Sequence, residues 1–379
     1  MNIRDIAAPA WVEVDLAAIA HNIKQIRAKV GPQIKIMGII KANAYGHGAK
    51  EVAHTILRNG ADRLGVANLY EGVGLRMAGI VAPVMIMGYI VPDEVDTAIK
   101  YNITQMVYTY EMAQNISQRA VAKGQTATIH IKIDTGMGRI GFLPDERSLQ
   151  EIKRIFSLPA LYIEGLCSHF SCADEKDKSY CLEQKAFFDK FISRLEAEGL
   201  TFPLKHMANS AAIMDLPDAY YDMVRPGISL YGHYPSNTVR RDEIKLLPAI
   251  SLKCNIAMVK DIARGSYISY GCKYRCNEDR VIATLPVGYA DGLSRVLFPG
   301  GEVLIKGQRV PMIGNICMDY TMVDVTDITR PQVGEEAVLI GRQGLNRITL
   351  EEVAAKLNTI NYEFICHLSE RLPRIYLGE

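Results

Sequence analysis

A chain of 379 residues with a formal net charge of +1 has no basic excess to draw it to nucleic acid or an anionic membrane, which favours small-molecule chemistry. Its 49% hydrophobic and 22% charged residues are those of an ordinary soluble globular protein and argue against disorder, and the length suits one large α/β barrel or two domains. The opening MNIRDIAAPAWVEVDL lacks the layout of a signal peptide and no apolar stretch reaches membrane-span length, so a cytoplasmic location is expected. The eight cysteines form no CxxC pair, so neither a metal site nor a disulfide framework is expected.

From residue 34 to about 232 one alternation repeats: a short apolar run, then a segment with helical spacing. The apolar runs are IKIMGII, RLGVAN, PVMIMGYI, ITQMVY, ATIHIKID, LYIEGLCSHF, PLKHMAN and MVRPGISLYG. Helical spacers such as AKEVAHTILRNG and EMAQNISQRAVAKG close on Gly, as helix C-termini do. Eight βα units in about 200 residues predict a parallel (β/α)8 barrel with right-handed crossovers. After YGHYPSNTVRRDE the spacers give way to short strand-like runs separated by Gly, Pro and Asp, with one late helix at TLEEVAAKLN. The expected organisation is a barrel over 12–240 and a mostly-β domain over 241–379, with residues 1–11 free to pack on the latter.

A barrel enzyme carries its chemistry where the strands end. Lys41 and Tyr45 follow the first run; Lys132, Asp134 and Arg139 close the fifth; His169 follows the sixth; Asn209 and Ser210 the seventh; Arg225, Gly227 and Ile228 lie in the eighth. Each has an ordinary reading as well. Lys41 is either a solvated lysine at a strand end or an amine able to form an imine with an aldehyde such as pyridoxal phosphate. With such a cofactor, NSAA and RPGISLYG are candidates for a phosphate cradle of backbone N–H groups. Arg225 is either a salt-bridge partner or a ligand group, Arg139 either a solvated loop residue or a fork for a substrate carboxylate, and His169 either a satisfied core histidine or a participant. In the second domain Tyr270 of SYGCKY is either a packing tyrosine or a base whose pKa is lowered by nearby positive charge.

At these residues the sequence resembles the alanine racemase family, through IIKANAYGHG, KIDTGMGRIG, SHFSCAD, HMANSAA, VRPGISLYG, SYGCKY, LPVGYADGLSR, GNICMD and TINYE in order over almost the whole chain. The resemblance implies a homodimeric pyridoxal phosphate enzyme that interconverts L- and D-alanine and supplies D-alanine for peptidoglycan, each site being completed by the partner's second domain. It implies Lys41 as Schiff-base lysine and base toward the D-enantiomer, and Tyr270 as base toward the L-enantiomer. By the same resemblance Tyr45, Ser210, Gly227, Ile228 and Tyr362 would surround the phosphate, with Asn209 beside them, while His169 would lie near the ring and Arg225 would face its nitrogen. Arg139 and the Met318 backbone orient the substrate carboxylate, and Lys132 matches a position often carbamylated. The resemblance also implies a narrow entrance formed by Tyr289, Arg295, Ile360 and Tyr362, which would favour alanine. The alternatives are a serine or broader-specificity racemase, for which Tyr362 is a poor match, and a pyridoxal-dependent decarboxylase, which has no use for Tyr270.

Overall fold

Alternation of apolar runs and amphipathic spacers becomes strand and helix throughout the first two thirds of the chain. The computed structural model describes residues 8–378, which separate into two units, one of residues 18–44 and 48–248, the other of 8–17, 45–47 and 249–378. The N-terminal segment 1–7, part of the 1–11 expectation, lies outside the described residues. After strand β1 (Ala10–Asp15), the first unit contributes β2 (Lys35–Ile39), β3 (Arg63–Val66), β4 (Val84–Ile86), β5 (Ile103–Val107), β6 (Ala127–Lys132), β7 (Leu161–Cys167), β8 (Leu204–His206) and β9 (Met223–Val224). They form an eight-stranded sheet in the order β8-β7-β6-β5-β4-β3-β2-β9, and every ladder in it is parallel. A parallel bridge between Asn209 and Arg225 joins the two outer strands and closes the barrel.

Strands buried on both faces need mostly apolar side chains, and every residue of β4 is both apolar and buried. The helices between them present one apolar stripe to this sheet: in Glu146–Phe156 the buried positions are Ser148, Leu149, Ile152 and Ile155, the spacing of one helical face. Asn68, Thr109, Asp145 and Asn209 each accept a backbone N–H as N-caps, which sets where four of these helices begin.

The second unit is built on a mostly antiparallel sheet. Its strands are β10 (Ile250–Asn255), β11 (Met258–Ile262), β12 (Tyr267–Ile268), β13 (Tyr274–Arg275), β14 (Arg280–Leu285), β15 (Glu302–Ile305), β16 (Gln308–Ile313), β17 (Thr321–Asp324), β18 (Glu336–Gln343), β19 (Asn346–Ile348) and β20 (Arg374–Leu377). The main path runs β11-β14-β17-β16-β15-β18-β10-β1-β20, with β19 paired to β18 and β12 paired to β13 apart from it. Strand β1 therefore lies in this unit, antiparallel to β10 and parallel to β20, with Val12 and Val14 in the core. The expected late helix forms at Leu350–Lys356, capped by Thr349. A second helix, Asn361–Cys366, corrects the expectation of one: it is only six residues long, has no side-chain cap, and so leaves no periodic or capping signal to read.

Ile152 is completely buried on its helix. Ile152→Ala is expected to lower unfolding stability by about 2–4 kcal/mol in chemical denaturation, the usual result of an unfilled core cavity; a loss below about 0.5 kcal/mol would mean that this helix face is not packed as described.

Candidate active site

Lys41 stands just beyond β2, and the chain after it does something that side chains resist. Ala42, Asn43 and Ala44 adopt φ/ψ near 52/50, 52/47 and 55/50, and Tyr45 has φ 52, so four non-glycine residues make one left-handed turn. Each such residue costs roughly 1–2 kcal/mol, so the surroundings must impose the conformation. Glu71 does so with both oxygens, accepting Ala42 N–H at 2.7 Å and Ala67 N–H at 2.7 Å. Asn43 braces the other side: its Oδ1 accepts Ala49 N–H at 2.8 Å and its carbonyl accepts Gly48 N–H at 2.9 Å. The lysine is thereby presented, exposed, at the start of a fixed turn. Sequence reading missed Glu71; NLYE has the Asn-x-x-Glu spacing of a helix cap, but only the Asn68 half caps the helix, while the Glu71 carboxylate reaches the turn after Lys41.

Tyr45 and Tyr362 come together, ring centroids 6.3 Å apart and tilted by 51°. Burial, with the nearby Cys366, raises the Tyr45 phenol above its ordinary pKa, so it remains a protonated donor at neutral pH. His47, for which the sequence suggests local packing or hydrogen bonding, is buried with Nδ1 3.1 Å from the Tyr45 carbonyl.

Past β9, Arg225 is 3% exposed. Its Nη2 donates to the carbonyls of Ser168 at 2.8 Å and Met207 at 3.1 Å and lies 3.1 Å from His169 Nδ1, while Nη1 lies 2.5 Å from His206 Nδ1. Its buried Nε–H has no partner among the described residues, although such donors are almost always satisfied. Burial and the charge of Arg225 hold His169 well below its usual pKa, so the ring is neutral at pH 7. Beside it, Ser210 Oγ accepts Gly227 N–H at 2.9 Å and pairs with Ser229 Oγ at 2.9 Å, bringing together the start of the Ser210–Asp215 helix and the Arg-Pro-Gly turn that carries Ile228. The side chain of Asn209 is used as that helix's N-cap, accepting Ala212 N–H at 3.0 Å.

Asp134 shapes the loop that presents Arg139. Its carboxylate accepts the backbone N–H groups of Gly136, Met137, Gly138 and Arg139 at 2.8–3.1 Å. Gly136 and Gly138, at φ 125 and 71, supply the left-handed backbone that this ring of donors needs. Arg139 is left exposed at the rim. Lys132, buried at the end of β6, donates from Nζ to the Ile133 carbonyl at 2.7 Å, and burial brings its amine down to about 8.

The other expected residues lie in the second unit. Tyr270 is 73% exposed, on a turn pinned by Asn315, whose side-chain amide donates to the Tyr270 carbonyl at 2.7 Å. Met318, Tyr289, Arg295 and Ile360 are exposed as well. The Met318 carbonyl accepts Ala290 N–H at 3.0 Å, which ties the GNICMD and GYAD loops together.

Comparison with known proteins bears directly on this arrangement. Residues 14–235 match the family model for the alanine racemase N-terminal domain and residues 249–376 that for the C-terminal domain. The chain belongs to the alanine racemase family. An alanine racemase of Desulforamulus reducens is 49% identical over 98% of this chain and 99% of its own length. The solved alanine racemase of Clostridium difficile 630 superposes with a TM-score of 0.95 at 42% identity, covering 98% of this chain and 97% of that one. A histidine racemase of Leuconostoc mesenteroides has a TM-score of 0.91 at 29% identity, over 98% of this chain and 99% of that one.

Seen as a racemase-family barrel, the rim is suited to a pyridoxal phosphate. Lys41 offers an amine for its aldehyde, the unpartnered Nε–H of Arg225 a donor for its ring nitrogen, and the paired Ser210 and Ser229 hydroxyls beside the Gly227 turn polar groups for its phosphate. The fit rests on chemistry already present in the chain.

Lys132 gives the site a pH signature. Between pH about 8 and 10.5 the unfolded lysine keeps its proton while the folded one has lost it, so stability rises with pH across that window. In buffers purged of carbon dioxide, Lys132→Met is expected to flatten this rise in a series of thermal melts; an unchanged slope would assign the pH dependence to another group.

Proposed function

We propose that this chain is a pyridoxal phosphate-dependent racemase that interconverts L-alanine and D-alanine as a cytoplasmic homodimer, and that the D-alanine serves peptidoglycan. The observation that carries the reading is Arg225, a buried cation at the barrel rim whose one unsatisfied donor suits a ring nitrogen, in a chain that matches the racemase family end to end. Among the described residues no helix is long and apolar enough to cross a membrane.

Bound at the rim, pyridoxal phosphate would supply a conjugated electron sink that makes the alanine Cα–H acidic. The residues divide the rest of the work. Ser210, Gly227 and Ile228, with Tyr45, Tyr362 and the Asn209-capped helix, would hold the phosphate, and Lys41 would hold the aldehyde end. Arg225 would offer its Nε–H to the ring nitrogen; because a guanidinium does not give up its proton, that nitrogen would be left unprotonated, which would disfavour transamination. His169, 3.1 Å from Arg225 Nη2, would lie near the ring. Arg139 and the Met318 backbone N–H orient the substrate carboxylate. Carbamylation of Lys132 would give Arg139 an anionic partner, and the lowered pKa favours it because only the neutral amine reacts with carbon dioxide.

Racemisation requires proton transfer on both faces of one planar carbon. Lys41 Nζ takes the proton of D-alanine and Tyr270 Oη that of L-alanine, one removing and the other returning it. Tyr270 reaches the site from the partner subunit, a role favoured by its exposure and that of Met318 and Ile360. Tyr289, Arg295, Ile360 and Tyr362 narrow the entrance toward a small side chain. A broader amino-acid specificity on the same scaffold is the second reading, favoured by the likeness to a histidine racemase.

Chiral chromatography after incubation with L-alanine, L-serine or L-histidine tests both readings, and alanine is expected to be the preferred substrate. Lys41→Ala should abolish racemisation together with the visible absorbance of lysine-bound pyridoxal. Tyr270→Phe should keep that absorbance and lose about 10²–10⁴-fold in racemisation, the usual contribution of one acid–base group. In D2O the Tyr270→Phe enzyme should still exchange the Cα proton of D-alanine faster than it racemises it. Full activity of Tyr270→Phe would remove the two-base assignment.

A further inference from the structure

Behind Arg225, inside the barrel, lies a chain of ionisable groups that the reaction itself does not use. His206, at the end of β8, has Nδ1 2.5 Å from Arg225 Nη1 and Nε2 2.8 Å from His130 Nδ1. His130, on β6, has Nε2 2.8 Å from Glu164 Oε2. Glu164, on β7, pairs in a two-pronged fashion with Arg63, at 2.8 and 3.1 Å. Arg63 is the first residue of β3 and Arg225 follows the end of β9, so the chain runs from one end of the barrel core to the other.

Its hydrogen bonds can point only one way. A guanidinium donates and never accepts, so His206 Nδ1 is an acceptor and the proton of the neutral ring sits on Nε2. That proton points at His130 Nδ1, which is therefore an acceptor too, and the remaining His130 Nε2–H donates to a carboxylate that can only accept. Burial lowers the pKa of both histidines, and for His206 the charges of Arg225, Arg63 and Lys132 add to the effect. Burial opposes ionisation of Glu164, but the hydrogen bonds from His130 and Arg63 outweigh it and hold the carboxyl down to about 2. The two neutral imidazoles thus join the Arg225 cation to a fixed anion, and among the described residues no carboxylate pairs with Arg225 directly.

The strand geometry is shaped around this chain. In the β6–β7 ladder Ile129 pairs with Ile163 and His130 with Gly165, so Glu164 is the extra residue of a bulge, a feature that re-aims a side chain. A Cβ on Gly165 would overlap the His130 ring, although the backbone there does not require glycine.

We propose that Glu164 is a positioning residue for Arg225, acting through His130 and His206, which it fixes as neutral Nε2–H tautomers. The proposal rests on the reading that Arg225 faces the pyridine nitrogen.

The test uses the holoenzyme labelled with ¹⁵N-histidine, whose long-range proton–nitrogen spectra report each ring's tautomer. In the wild type, His130 and His206 should both be neutral Nε2–H forms from pH 6 to 9, and an Nδ1–H tautomer or a titrating ring at either position would overturn the proposal. The double variant Arg63→Met/Glu164→Leu replaces the ion pair with apolar groups, an exchange that buried pairs often tolerate. In it, the two rings should lose their single tautomer, and the ratio of pyridoxamine and pyruvate formation to racemisation should rise by about tenfold or more, as expected when a charge-assisted hydrogen bond is lost. A folded double variant with unchanged tautomers and ratio would make the pair merely structural. Arg225→Lys serves as control: if it leaves the ratio unaltered while the double variant's tautomers respond, the pyridine-nitrogen reading fails and the chain stands.

Discussion

A guanidinium buried at the mouth of a barrel is the constraint on which the rest of the site depends. Arg225 is nearly inaccessible to water, and an uncompensated charge in that position would be expensive. The fold compensates it with two backbone carbonyls and two imidazoles on its Nη atoms, leaving Nε–H as the group with work still to do. Burial, reinforced by the surrounding positive charge, also keeps His169 and His206 neutral, so the rim holds donors and acceptors of fixed sense. Preorganised dipoles of this sort do their work without reorganising during the reaction.

The second constraint is the left-handed turn after Lys41. Four residues in a disfavoured conformation persist because Glu71 and Asn43 accept backbone donors that a right-handed path would send elsewhere. Strain of this kind is found where a side chain must be aimed, and here it follows directly on the residue proposed to carry the cofactor. Asp134 performs a similar service for Arg139, gathering four N–H groups into one loop. In both places a carboxylate acts on the backbone, and a basic residue is presented as a result.

These devices explain what could and could not be read from the sequence. Strands such as KIMGI and VMI were legible because strands buried on both faces read as near-continuous apolar runs, and their order fixed which residues share the rim. Lys41, Arg139, His169 and Arg225 were visible as polar groups at strand ends. Glu71 and Glu164 were not: one lies within an ordinary helix start, and the other looks outward-facing until a bulge turns it inward. That residues 1–11 could pack on the second domain was anticipated, but that the rest of β1 belongs there too was hidden, because the alternation in WVEV suits any half-buried strand, and its partners β10 and β20 lie more than two hundred residues away in sequence.

The account divides the two proton-transfer groups between subunits, and mixing inactive variants tests this most directly. When Lys41→Ala and Tyr270→Phe chains are unfolded together and refolded at equal amounts, half of the dimers should be mixed, and each mixed dimer should contain one intact site. Racemisation of L-alanine is then predicted to recover to about a quarter of the wild-type rate, although neither variant alone approaches it. A mixture no more active than its parents, with mixed dimers demonstrated by mass spectrometry, would contradict a site in which Lys41 of one chain works against Tyr270 of another.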